Sequence, residues 1–185
     1  MQKTLQQYDQ VTAQCRDIFI KKTTDYGTAW RILRPSSLTD QLFIKASRIR
    51  SIEEKGMQKV EEAVDQEYMG LVNYAVLALI QLDIADAAPL ELPPEEASTL
   101  YDTVLQKTKE LMMAKNHDYG EAWRDMRRSS LTDLILMKLL RIKQIEDNQG
   151  KTLISEGLAA NYQDIINYAI FALIKLSEDK KETEA

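Results

Sequence analysis

Apolar side chains recur at helical intervals along two stretches of the chain. Leu38, Leu42, Ile49 and Ile52 share one helical face, and Leu131, Ile135, Ile142 and Ile145 repeat the pattern. Intervals of three, four and seven mark helices with one side in a core. Two further stretches, 71–80 and 165–174, are apolar on nearly every side, which predicts helices at the centre of the packing. No stretch alternates with period two over a useful length, so strands are not expected. Gly27 and Gly120 each follow a Lys-x-x-Asp-Tyr segment and can supply the left-handed residue that stops a first helix. Second helices are expected to open at Ser37 and Ser130, with Asp40 and Asp133 three residues on as in a capping box, and to close near Gly56 and Gly150. Third helices are expected over 58–84 and 153–177. Pro94 with Glu95 and Glu96 makes a favourable first turn for a fourth helix.

This order of elements occurs twice because the sequence itself does. Lys22-Thr-Thr-Asp-Tyr-Gly-Thr-Ala-Trp30 returns as Lys115-Asn-His-Asp-Tyr-Gly-Glu-Ala-Trp123, and Ser36-Ser-Leu-Thr-Asp40 as Ser129-Ser-Leu-Thr-Asp133, at identical spacing. Leu71-Val-Asn-Tyr-Ala75 answers Ile165-Ile-Asn-Tyr-Ala169 after a one-residue shift, which places an insertion near Gln149-Gly150. Two copies are too few for a solenoid. The expected fold is all-α, a tandem repeat of a three-helix unit forming a pseudo-twofold helical bundle. The first repeat covers 1–85, a linker 86–93, the second repeat 94–179 and a polar tail 180–185, all within one fused globular unit.

Composition narrows the partners. The formal net charge of −5 disfavours non-specific binding to a polyanion such as duplex DNA. The single cysteine, Cys15, excludes an internal disulfide, and its neighbours Val11, Ile18 and Phe19 make it a small buried hydrophobe rather than a nucleophile. The polar first twenty residues do not read as a signal peptide, and the apolar run 71–82 is too short to cross a bilayer. A cytoplasmic protein without membrane contact is expected, either a monomeric pseudo-dimer or a homodimer.

Several residues do not suit a plain bundle. Lys45 and Lys138 occupy the one vacant place in the core seam of the second helices, with Arg48 and Arg141 on nearly the same side. Their stems could pack while the ammonium groups reach the bundle edge, or they could hold a phosphate or carboxylate. Asn73 and Asn167 fall within the most apolar helices, where an unpaired amide would cost about 1–3 kcal/mol. Glu156, Asn161, Asp164 and Asn167 would form a polar stripe on the last helix. Two readings stay open for it: oxygen ligands for Mg²⁺, or a satisfied network between the halves. Gly70 stands where the second copy has Asp164, and Gln66 and Glu67 stand where it has Ala160 and Asn161, so the second repeat is the better candidate for carboxylate chemistry. Trp30 and Trp123 serve either as loop staples or as platforms for a nucleobase.

The Lys-x-x-Asp-Tyr-Gly-x-x-Trp segment, the basic-apolar helix after it and Asp164-Ile-Ile-Asn-Tyr-Ala169 together resemble the nucleotide-modification-associated domain family, type one. The resemblance spans both repeats and implies a role in modified-nucleotide or DNA-modification systems. The final helix is also similar, more distantly, to the MazG-like all-α nucleoside triphosphate pyrophosphatases, whose carboxylates hold Mg²⁺. The chain departs from their Glu-x-x-Glu and Glu-x-x-Asp pattern: Glu156 and Asp164 are eight residues apart, with Ala160 between.

The expectation is therefore a nucleotide-binding helical domain. It would be a Mg²⁺-dependent nucleoside triphosphate pyrophosphohydrolase or an accessory to nucleotide modification. Asp164 and Glu156 would then be catalytic, and Glu146, Glu156 and Asp164 would hold the metal. Lys115, Lys138 and Arg141 would meet phosphates, Trp123 and Tyr119 would flank the base, and Asp118 and Asn167 would complete the site. The matching residues of the first repeat are Lys22, Asp25, Tyr26, Trp30, Lys45, Arg48 and Asn73. The competing expectation is a non-catalytic binding or scaffold module, indifferent to Mg²⁺.

Overall fold

The computed structural model describes residues 1–56, 64–84 and 87–184. Among them are six α-helices and no strand: α1 (Gln2–Tyr26), α2 (Pro35–Lys55), α3 (Val64–Asp83), α4 (Pro94–Tyr119), α5 (Arg128–Asp147) and α6 (Leu158–Glu184). Short 3-10 turns, Ala29–Ile32 and Ala122–Asp125, carry the two tryptophans. The bundle is all-α and duplicated.

α3 and α6 run through the centre and pack against each other, as their all-round apolar character requires. α2 packs on α3, α5 on α6, and α2 against α5. Leu38, Leu42, Ile49, Leu131, Ile135 and Ile142 are fully buried there. The outer helices bind the two halves together, because α1 lies against α6 as well as α3, and α4 against α3 as well as α6. A single core results, continuous from Tyr8 on α1 to Ile174 on α6.

Polar pairs cross the same boundary twice. Tyr101 OH donates to Asn73 Oδ1 at 2.6 Å, while Asn73 Nδ2 donates to the Cys15 carbonyl at 3.1 Å. Tyr8 OH donates to Asn167 Oδ1 at 2.9 Å, while Asn167 Nδ2 donates to the Thr108 carbonyl at 3.3 Å. Each buried amide is thus satisfied at both ends by residues of α1 and α4. Thr39 Oγ1 lies 2.5 Å from Tyr162 OH and 2.8 Å from Glu146 Oε1; in the mirror position Thr132 Oγ1 lies 2.7 Å from Tyr68 OH and 3.0 Å from Glu53 Oε1. Cys15 is fully buried, which pushes its thiol up to about 12.

Four boundaries differ from expectation. α2 starts at Pro35 and α5 at Arg128, with Arg34 and Arg127 at the N-cap and no side-chain cap bond, so Ser37 and Ser130 lie inside the first turns. The pre-set φ of Pro35 favours the earlier start. α6 begins at Leu158 rather than near 153. Leu153 and Ile154 are wholly exposed, so no packing supports a helix there. Residues 180–184, expected as a tail, continue α6, and Lys180 pairs with Asp65 at 2.9 Å. The expected start of the third helix near residue 58 lies outside the described residues. Gly120 (φ 62°, ψ 36°) ends α4 in left-handed backbone, as expected, whereas Gly27 ends α1 at positive φ (61°) but with ψ −143°, outside the left-handed helical region. No helix among the described residues is long and apolar enough to cross a membrane.

Candidate functional site

The two halves use equivalent positions in opposite ways. In the second half α6 turns Asp164 inward, where its side chain is 6% exposed. Lys115 Nζ, from the last turns of α4, approaches Oδ1 at 2.5 Å, and Lys138 Nζ, from the seam of α5, approaches Oδ2 at 2.7 Å. Burial alone would lower the Lys115 ammonium, but the hydrogen bond and charge of Asp164 outweigh it and hold the group above the usual lysine range. Trp123 lies face to face with Phe171, centroids 4.2 Å apart and planes 3° off parallel, and the Arg124 guanidinium sits 4.5 Å over the indole. Ring and ion triad occupy this half from within.

In the first half both fillers are missing. Leu77 stands where Phe171 does, and Gly70 where Asp164 does. A cleft of about 760 Å³ opens between α1, α3 and the 3-10 turn that carries Trp30. Phe19, Met69 and Leu77 contribute apolar wall, Trp30, Tyr26 and Tyr74 aromatic wall, and Lys22, Lys45 and Glu67 the charge. The Trp30 indole N–H is buried without a hydrogen-bond partner among the described residues, as is that of Trp123 in the closed half. Lys45 lies along the bare backbone of Gly70, its Cδ and Cε 3.0 Å from where a Cβ would be, and reaches Glu67 at 3.4 Å. Glu67, 4% exposed, also takes the Arg48 guanidinium. Lys22 has no ionic partner among the described residues, although it matches Lys115 of the triad.

Sequence reasoning favoured the second repeat, and the geometry reverses that choice. Gly70, which leaves the first repeat without the matching carboxylate, lines its cleft. The expected metal triad is not assembled. Glu146 bonds across the α2–α5 boundary to Thr39 and Tyr162; Glu156 is exposed in the loop before α6; Asp164 is held by two lysines. Among the described residues no three acidic, histidine or cysteine side chains are grouped to hold a metal ion. This donor set does not fit Mg²⁺, which needs several free oxygens around one point.

The remaining candidates divide. Trp30, Lys22, Tyr26, Lys45 and Asn73 line the cleft, and Arg48 braces it through Glu67. Asp25, Asp118, Tyr119 and Arg141 are exposed, Tyr119 at 73%. Lys115, Lys138, Trp123 and Asn167 are engaged in the closed half, Asn167 purely in tying α6 to α1 and α4. Both readings of the tryptophans thus apply, one to each copy: Trp123 is a staple, and Trp30 faces a cleft. Glu67 and Tyr74 were not anticipated. Their signal was available in the comparison of the copies, since Glu67 puts a longer acidic side chain one turn before the missing Asp.

An all-α pseudo-twofold bundle with an ion triad buried in its second half and an open, aromatic, cationic cleft in its first defines the molecule as a duplicated helical module with a cleft of binding-site size. The model of the nucleotide modification associated domain 1 family matches residues 22–82 and 115–176, one match in each half. The chain belongs to that family. No curated protein and no solved structure matches it, and the MazG-like similarity rests on the sequence pattern alone.

Proposed function

We propose that the chain is a nucleotide-binding module whose site is the cleft of the first half. One observation carries the reading: a cavity of about 760 Å³ combines Trp30, Tyr26 and Tyr74 with Lys22 and Lys45, in a member of a nucleotide modification associated family. Its volume falls in the usual range for small-molecule sites, about 300–1,000 Å³. Aromatic faces stack on a base, and the ammonium groups meet a phosphate. The second half contributes rigidity, because its equivalent space is filled by Phe171 and the Lys115–Asp164–Lys138 triad.

The reading includes no hydrolytic step and no step through Mg²⁺, because Glu146, Glu156 and Asp164 do not converge. The test is calorimetric titration of the full chain with ribo- and deoxyribonucleoside phosphates, with Mg²⁺ and with chelator, while pyrophosphate release is followed. Saturable binding unaffected by chelator and lost in Trp30→Ala, with helicity intact, is the expected result. Absence of binding across the panel would refute the reading. Metal-dependent pyrophosphate release would replace it with catalysis.

A further inference from the structure

The closed half contains its own answer to what the open half binds. Asp164 presents two carboxylate oxygens, one to each of two lysines, at 2.5 and 2.7 Å. The matching lysines of the first half, Lys22 and Lys45, both line the cleft, and Gly70, against which Lys45 lies, holds the position of Asp164. We infer that Lys22 and Lys45 over Gly70 form the seat for a single terminal phosphate, that of a nucleoside monophosphate, and that Asp164 is a built-in substitute for that anion in the second half.

Three observations converge on this seat. Gly70 lies in the interior of α3, where glycine costs helix stability relative to alanine, so some other requirement keeps a side chain out. Lys45 has a 3.4 Å contact to Glu67 and lies 5.6 Å over the Tyr74 ring, against a 2.7 Å ion pair for Lys138 on Asp164, and Lys22 has no ionic partner among the described residues. Trp30 lines the same cleft, and Leu77 stands at the position from which Phe171 stacks on Trp123 in the other half. The base then lies against Trp30 and the phosphate against the two lysines, in one cavity.

The number of phosphates follows from charge. A triphosphate would bring further anionic oxygens that need additional cations or a bound metal. Among the described lining residues the cations are Lys22 and Lys45, and among the described residues no group of acidic side chains is assembled to recruit Mg²⁺. One phosphoryl group on two ammonium groups is the match.

This inference rests on the reading of the cleft as a nucleotide site, and Gly70→Asp separates the two. An aspartate there would recreate the internal triad, and the flexible end of Lys45 can yield the few tenths of an ångström it needs. The full chain is titrated with nucleosides, their 5′-monophosphates and triphosphates, and with inorganic phosphate. Heat and the amide NMR signal of Gly70 are both followed, and the variant is compared by heat and circular dichroism. The expected result is a monophosphate affinity at least about tenfold above that of the nucleoside and not exceeded by the triphosphate. Gly70→Asp should abolish that advantage while its melting temperature stays equal or rises. Nucleotide binding that ignores both phosphate number and Gly70→Asp would overturn the seat and leave the nucleotide reading standing. Inorganic phosphate shifting Gly70 without any nucleotide binding would uphold the seat and refute the nucleotide reading. Neither ligand perturbing Gly70 overturns the seat.

Discussion

Replacing Asp164 by alanine removes the anion that two lysines share. The side chain is 6% exposed, as against 10% for Lys138 and 41% for Lys115. Lys115 is on the rim and can turn to water once released. Lys138 cannot do so without leaving the seam of α5, where Leu131, Ile135 and Ile142 fix it among fully buried neighbours. Removing one partner of a buried ion pair costs about 3–5 kcal/mol, mostly as the charge left unpaired. Because only Lys138 is trapped, a loss of about 3 kcal/mol, the lower end of that range, is expected. In a chain of this length that corresponds to a fall of about 6–12 °C in melting temperature. The assay is urea unfolding followed by circular dichroism at neutral pH, with the slope unchanged between variants. Adding Lys138→Met to Asp164→Ala should recover most of the loss, since an apolar side chain of similar volume carries no uncompensated charge. A loss below about 1 kcal/mol, or no recovery in the double variant, would refute the view that Asp164 serves the fold.

Leu77→Phe should lay a ring against Trp30 as Phe171 does against Trp123, leaving stability equal or up by about 0.5–1.5 kcal/mol while weakening ligand binding; calorimetry together with melting checks both. Trp123→Ala should cost about 3–5 kcal/mol, since its ring is 5% exposed in the core, whereas Trp30→Ala should cost less than half as much. Equal losses in urea would contradict the division between staple and cleft. Burial raises the Glu53 and Glu146 carboxyls above their ordinary 4.5, with bonds from Thr132 and Thr39 partly opposing it. The folded state therefore holds these protons more tightly than the unfolded state. The resulting stability is present below the unfolded value and is lost as pH rises through the raised folded value. Glu53→Gln with Glu146→Gln should flatten the stability profile from about pH 4 upward, and parallel profiles for variant and parent would count against it.

Helix content, duplication and the core seam were legible in the chain by itself. The intervals of Leu38, Leu42 and Ile49 and of Leu131, Ile135 and Ile142 follow the helical repeat, and a helix must bury such a stripe whatever its partner. The repeated Asp-Tyr-Gly segments end α1 and α4 because the positive φ at Gly27 and Gly120 is a local property of glycine. Tertiary structure decided which polar residues face one another. Asn73 and Asn167 look alike as ligand groups until Tyr101 and Tyr8 arrive from the outer helices and satisfy them. Glu146 looks like a metal ligand until Thr39 crosses from α2 to meet it. The absence of Asp at position 70 looks like decay until Lys45 is seen lying against the bare backbone of Gly70 at the wall of a cleft. Periodicity reports how each helix meets the solvent. Whether a charged side chain meets a countercharge or an open cleft depends on residues brought in from distant helices, which no local pattern records.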